Sequence, residues 1–469
     1  MKKHDNNNDE TIKTLVLEYE VLSQQGAVGF YEETVFMKIA EHYEKRFMLN
    51  EALDVISLAI EQNSYSSRLY FKKARLLLEK GFQHSAMECI DKAESLAPFS
   101  DEIKCFKIKV LIDQGVLKEA SQIIESIEHK GDKELASPLY YYKALILEQR
   151  NEYRKMFVML RKALYANHKN EAALKKIWIS VELSRSYIES RELHQYLIDK
   201  DPYNYVAWHN LGHAYFCLED YRNAEEAFEF AFLSNQSFEF AYRDCAEARI
   251  KLKEFDRALE CYEDVLSLFK ADSDLYINIG YCYESMEDLE LAMVCYEKSF
   301  RFDLNNPRAY FRKGECYMKE GIWDEAIKSY KHACALDGNK GEYLVALAEA
   351  YYQNDNDELA DDAFYRATES TPESRQYWLQ YANFLIDKNR GAEALDLIYL
   401  AEVNTGKGSD LLYCKAVCLF QTNDRKEALY ILKTALQQDY ALHVKLFDLN
   451  PGLKKDQDVI IAINGLNSN

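Results

Sequence analysis

Apolar and small residues along this chain fall three and four positions apart, the spacing of one face of an α-helix. The pattern itself returns every 34 residues. Trp208-His209-Asn210-Leu211-Gly212-His213-Ala214-Tyr215 aligns with Tyr276-Ile277-Asn278-Ile279-Gly280-Tyr281-Cys282-Tyr283, two periods further on. Repeat starts at 205, 239, 273, 307, 341, 375 and 409 keep register without insertion. Backwards they continue at 171 and 137 and then, after a two-residue slip within 128–134, at 101, 67 and 33. A fixed period of this length is the mark of a stacked repeat array, and twelve repeats span 33–442.

Four columns carry the period. Position 8 is Ala or Gly in ten of the twelve repeats, among them Ala40, Gly212, Gly280, Gly314 and Ala416. Position 20 is Ala in ten, from Ala52 and Ala86 to Ala394 and Ala428, a frequency that chance does not give. Position 24 is large and apolar in eleven, as at Ile56, Phe228, Tyr262, Tyr296, Tyr330 and Leu432. Position 4 is apolar or aromatic in eleven, as at Trp208, Tyr310 and Trp378. Positions 4, 7, 8 and 11 share a face of a first helix, and 20, 24 and 27 share a face of a second. Small residues at 8 and 20 let the two backbones cross closely. Gly81, Gly115 and Gly321 fall at position 15, where a left-handed turn between helices suits glycine. Pro98, Pro202 and Pro372 fall at position 32, where proline stops a helix.

These columns resemble the tetratricopeptide repeat, over about 410 of the 469 residues. The resemblance implies an all-α fold, a right-handed superhelical solenoid of stacked helical hairpins. First helices would line its concave face and second helices its convex face, through more than one superhelical turn. The expected organisation is a disordered segment 1–10, an N-terminal capping segment 11–32, repeats 1–3 over 33–134, and irregular repeats 4–5 over 135–204. Repeats 6–12 then occupy 205–442, and a capping helix and tail occupy 443–469. Val459, Ile460, Ile461 and Ile463 are the candidate apolar residues of that last cap. Repeat 5 departs most, with Trp178 at position 8, Ser190 at 20 and His194 at 24, and 128–200 reads as an irregular middle where curvature changes.

Composition narrows the function. Only 16 Gly and 6 Pro punctuate the chain, too few for a fold of many tight turns. A net charge of −20 disfavours nucleic acid as a partner, since phosphate binding needs a cationic surface. The first residues lack the apolar core of a secretory signal, and no stretch is apolar for long enough to span a membrane. The eleven cysteines include no C-x-x-C pair, and cytoplasm is the expected compartment. Cys282, Cys316 and Cys418 recur at position 10 and Cys89, Cys261 and Cys295 at position 23, which makes them packing residues.

No nucleotide-binding or hydrolase motif occurs, so a non-enzymatic chain without a cofactor is expected. His209 and His213 stand four apart on a first helix and can share a metal ion, with Glu182 and Glu247 as candidate carboxylates. Their alternative role is that of neutral groove residues. A second candidate is a cationic, partly aromatic lining at Arg68, Phe71, Lys72, Arg75, Lys109, Lys175 and Lys176, suited to acidic segments. The alternative there is ordinary solvated charge balanced by Glu102, Glu148 and Glu182. A third candidate follows from the resemblance. Chaperone adaptors of the family grip a terminal carboxylate with donors from three successive repeats. The matching positions here hold Arg243 and Glu247, then Asn278, then Arg308 and Arg312, so four of five carry a donor and Glu247 departs. The alternative has Arg308, Arg312 and Glu315 pairing within one helix. Aromatic anchors are expected at Tyr281 and Phe311, with Tyr141, Tyr142, Phe216, Tyr352, Tyr413 and Phe420 in the same class. The function expected is a scaffold or adaptor that binds protein or peptide segments on the concave face. A receptor for acidic or C-terminal peptide tails is the alternative, and a metal protein using the two histidines a further one.

Overall fold

A computed structural model describes residues 2–24, 29–128, 135–338 and 340–466, with side chains over 12–23, 29–128, 135–338 and 340–465. Among the described residues every regular element is helical. The chain divides into two compact units, 1–235 and 236–469. The first holds repeats 1–6 and the second holds repeats 7–12. The boundary falls between repeats, and the irregular repeats 4 and 5 lie inside the first unit.

Each repeat is a helical hairpin whose first helix begins at repeat position 1 or one residue before it, as at Ser67–Glu79, Tyr205–Cys217 and Ser273–Ser285. The start is set by the preceding residue. Ser66, Ser100, Asn170, Asn204 and Asp272 accept the backbone N–H of position 3 with their side chains, the bond that caps a helix. Where position 4 is tryptophan it ties the repeat to the one before. The indole N–H groups of Trp208 and Trp378 each donate to the carbonyl of the preceding position-32 proline, both at 2.8 Å.

The turn between helices follows one rule. Gly81, Gly115 and Gly321 at position 15 have φ of 81°, 76° and 74°. Position 15 is also left-handed in the other nine repeats, where it is Phe47, Asn151, Arg185, Glu219, Lys253, Glu287, Asp355, Asn389 or Asn423. The hairpin therefore demands this conformation whatever residue stands there, at a cost of about 1 kcal/mol for a side chain with Cβ.

The helix crossing explains the small residues. Position 20 alanines such as Ala224, Ala292 and Ala326 are fully buried. A Cβ added at Gly212, Gly280 or Gly314 would lie 2.6, 2.5 and 2.5 Å from the position-24 ring of the same repeat, Phe228, Tyr296 and Tyr330 respectively. In repeats 8 and 9 the ring is also held at its far end. The Tyr296 hydroxyl donates to Glu284 at 2.7 Å and the Tyr330 hydroxyl to Glu315 at 2.5 Å.

Repeat 5 breaks the crossing. Its first helix, Glu171–Ser184, and second helix, Tyr187–Lys200, scarcely touch each other. Each packs instead on its sequence neighbour, Tyr153–Ala166 and Tyr205–Cys217. Trp178 is too large for the crossing point and stays half-exposed, while Ile177, Ser180 and Val181 are buried. At position 24, His194 is fully buried. Its Nδ1 lies 2.8 Å from the Ser190 carbonyl and its Nε2 3.3 Å from the Asn210 amide nitrogen. Only a ring with its proton on Nδ1 satisfies both contacts.

The ends are covered. Val16 and Tyr19 of helix Lys2–Gln24 pack on Phe36, Ile39 and Ala40 of repeat 1, and the Tyr43 hydroxyl donates to Glu20 at 2.9 Å. The expected disordered segment 1–10 continues into this helix from residue 2. Helix Gln457–Leu466 buries Val459, Ala462 and Ile463 against the last repeat. Ile460 and Ile461, expected to share that role, point away and stay exposed, because the helical period selects 459, 462 and 463. Within the slip region, 129–134 lies outside the described residues.

Two outcomes follow from this packing. Gly280→Ala overfills the crossing under Tyr296 and lowers stability by about 1–3 kcal/mol, and it costs less in a Tyr296→Leu background. Equal costs in both backgrounds, measured by urea unfolding, would refute the ring contact. Burial pushes His194 down to about 4, against an ordinary value near 6.5. Between those values the unfolded chain binds the extra proton, so His194 adds stability above pH 6.5 that is lost as pH falls toward 4. The slope is at most about 1.4 kcal/mol per pH unit and is flatter in His194→Gln. Identical melting-temperature profiles from pH 7 to 4.5 would refute it.

Candidate functional site

In the second unit a cavity of about 650 Å³ opens across the first helices of repeats 7, 8 and 9, Glu239–Lys251, Ser273–Ser285 and Pro307–Glu320. Arg243, Glu247, Asn278, Tyr281, Arg308 and Arg312 all line it. The structure thus brings together every residue of the expected three-repeat donor set, with Tyr281 added. Their positions follow from the period: positions 5 and 9 of one repeat, 6 and 9 of the next, and 2 and 6 of the third share one face at successive levels. Lys251 and Lys253 also line the cavity from repeat 7, and both are exposed. Lys251 lies at position 13, on the inward face but outside the three-repeat donor set, and Lys253 at position 15, in the turn beyond that face.

The donors are not equivalent. Arg243 Nη2 donates to Glu239 Oε1 at 2.6 Å and to Asp272 Oδ2 at 2.8 Å, and Nε gives a second bond to Glu239 at 2.8 Å. These acids hold the guanidinium above its usual range although burial opposes it. Asp272 also caps the first helix of repeat 8, so Arg243 joins two repeats through a capping residue. Arg308 reaches the preceding repeat, donating to Asp274 Oδ1 at 3.1 Å and to Asn278 Oδ1 at 3.3 Å. Arg312 has no ion pair among the described residues. Its guanidinium lies over the Tyr281 ring, 4.4 Å from the centroid, and 5.8 Å from that of Phe311.

The pairing of Arg308, Arg312 and Glu315 within one helix does not form. Glu315 accepts the Tyr330 hydroxyl, and Arg308 turns to Asp274 because the facing helix presents an acid at the right level. Phe311 is half-buried between Tyr330 and Tyr343, with ring centroids 5.7 and 4.9 Å away, and so serves packing between repeats. Tyr413 is fully buried and donates to the Asp439 carbonyl at 2.8 Å, which removes it from any binding face.

The early cationic lining separates in the same way. Lys72 is buried, and its ammonium pairs with Glu44 of the preceding repeat. Lys176 pairs with Glu148 at 2.8 Å and Lys175 with Glu171 at 3.4 Å. Arg68 is exposed. Arg75 and Lys109 line a second cavity of about 400 Å³ together with Glu79 and Asp113. In the first unit His209 and His213 meet edge to face at 4.4 Å, and both contact the Phe228 ring. His213 also lies 4.5 Å from Trp178, the bulky residue of repeat 5. Cys282, Cys316 and Cys418 are fully buried, and burial pushes each thiol up to about 12, which suits packing and not nucleophilic attack.

Arg243→Met is expected to lower stability by about 1 kcal/mol, since it leaves Glu239 and Asp272 facing each other without their shared cation. Lys251→Met, on the same cavity but exposed, is expected to change it by less than about 0.5 kcal/mol. Urea unfolding followed by circular dichroism compares the two, and equal effects would show that Arg243 has no structural role.

The tetratricopeptide-repeat family matches residues 205–236, 273–306 and 307–340, which include two of the three repeats that build the larger cavity. RNA polymerase II-associated protein 3 of Xenopus tropicalis is 36% identical over 96 residues, 20% of this chain. The chain spans only about 15% of the length of that relative. Among solved structures, the APC/C hetero-tetramer Cut9-Hcn1 is similar over 89% of this chain and 95% of its own, at 14% identity and a TM-score of 0.42. The C-terminal part of a TPR repeat-containing protein from Cytophaga hutchinsonii is similar over 54% of this chain and 97% of its own, at 18% identity and a TM-score of 0.40. YrrB, described as a TPR protein with an unusual peptide-binding site, is similar over 39% and 95%, at 18% identity and a TM-score of 0.31. Among the described residues no helix is long and apolar enough to cross a membrane. With its 34-residue columns, its hairpins and the family matches over 205–236, 273–306 and 307–340, the chain is a tetratricopeptide-repeat protein, a class of repeat that supports a protein-interaction scaffold.

Proposed function

We propose that this scaffold is non-enzymatic and binds an extended peptide segment of a partner across repeats 7–9, in the cavity lined by Asn278, Tyr281, Arg308 and Arg312. The observation that carries the reading is convergence. Donors and an aromatic platform from three successive helices meet on one cavity, whereas the early cations are buried, paired with acids or dispersed. An extended chain suits such a site because its side chains and backbone meet successive helices in turn. Arginine stacked on tyrosine is the kind of pair that anchors interfaces. Arg243 and Lys72 act here through structural ion pairs and hold the repeats in place.

The test is capture of partners from a lysate of the source cell by the full chain. Arg308→Ala with Arg312→Ala is expected to lose a partner at least tenfold, while Arg68→Ala with Arg75→Ala retains it. Hydrogen exchange on the complex should then show protection within 239–320. A partner lost with the second pair and kept with the first would move the site to the early repeats.

A further inference from the structure

On two of the cavity's walls the open side-chain nitrogens, of Asn278 and Arg312, are donors. Arg308 can only donate, so its bond to Asn278 Oδ1 fixes the amide with the oxygen toward Arg308 and the NH2 away from it. That NH2 has no acceptor among the described residues. Arg312, one repeat further on, has no carboxylate partner either, and Tyr281 supports it from below. Two donors from adjacent helices, one of them charged, therefore face the cavity without acceptors. The third wall differs. On repeat 7, Arg243 is held by Glu239 and Asp272, and Glu247 and Asp244 add negative charge to the lining.

Resting on the peptide-binding reading above, we infer that Asn278 and Arg312 hold the side-chain carboxylate of an internal Asp or Glu in the bound segment, and not a chain-terminal carboxylate. A terminal carboxylate gripped from three repeats needs donors at positions 5 and 9 of repeat 7. Those positions hold an arginine already taken and a glutamate that repels, while Lys251 and Lys253 stand further along, at the end of the helix and in the turn. An internal acid needs only the two open walls, and the rest of the segment passes Asp244 and Glu247 as a neutral backbone. The lining cations Arg243, Arg308, Arg312, Lys251 and Lys253 are met by as many acids, Asp244 and Glu247 within the cavity and Glu239, Asp272 and Asp274 beside it. A site so balanced disfavours a dianion such as a phosphate monoester more than a single carboxylate.

The experiment uses the full chain on an array of random dodecapeptides, acetylated at one end and either amidated or free at the other. Expected is selection of peptides with an internal Asp or Glu, equal binding of amidated and free-acid forms, and loss of about tenfold when that acid becomes Gln. Arg312→Gln should abolish the acidic preference while other peptide contacts persist, and Asn278→Asp, which keeps an acceptor for Arg308, should do the same. Peptides selected without an acidic preference, or only with a free terminus, would overturn the inference and leave the peptide groove standing. So would phosphoserine in place of the selected acid binding tenfold tighter. An array on which the wild type selects nothing would overturn the groove reading, and this inference with it.

Discussion

The architecture depends on one steric event repeated along the chain, the close crossing of two helices at positions 8, 20 and 24. Where position 24 is a buried aromatic ring, position 8 shrinks to glycine in three of five cases, and there the ring lies against the bare backbone. Tyr262 and Phe364 are the other two, above Ala246 and Ala348. Where position 24 is Ile or Leu, as at Ile56, Ile90, Leu160 and Leu432, alanine suffices. In repeats 6, 8 and 9 volume is thus exchanged across the crossing, glycine making room for a ring, as close packing requires. Because each crossing sets the angle between its helices, it also sets which positions of the first helix face its neighbours, and hence what the cavity of repeats 7–9 contains.

Repeat 5 shows what happens when the rule fails. Trp178 at position 8 removes the space that a position-24 side chain would fill, and the hairpin opens. His194 keeps its Nδ1 on Ser190 and finds a partner for Nε2 outside its own repeat, with Asn210 of repeat 6 donating to it and to the Leu174 carbonyl. A buried polar network of this kind is tolerated only when every member is satisfied, and here the two ring nitrogens have opposite roles that meet that condition.

Much of the fold was legible because a repeat offers its own alignment. The twelve hairpins, their boundaries and the small-residue columns were all in the spacing. The left-handed turn was legible only where glycine marks it, at Gly81, Gly115 and Gly321, since Glu219, Lys253 or Glu287 at the same position carries no local sign of a positive φ. The period nevertheless contained the answer, because a conformation demanded in one repeat is demanded in all. The cap residues were half legible, for Val459 and Ile463 follow from apolarity alone but Ile460 and Ile461 required the helical phase.

The candidate site was legible in location and not in role. Column arithmetic placed Arg243, Asn278, Arg308 and Arg312 on one face, and the cavity gathers them. Whether an arginine is open to a ligand depends on acids 29 to 34 residues away, such as Asp272 and Asp274, which reach it only once the repeats stack. Arg243 and Arg312 occupy similar face positions on helices two repeats apart, yet one is consumed by two carboxylates and the other rests on a tyrosine ring. In a chain with 78 acidic against 58 basic residues, a cation is readily met by an acid once the repeats stack, as Arg243, Arg308 and Lys176 are. An unpaired guanidinium stacked on an aromatic face is therefore a more selective mark of a binding site than the number of basic residues lining a groove.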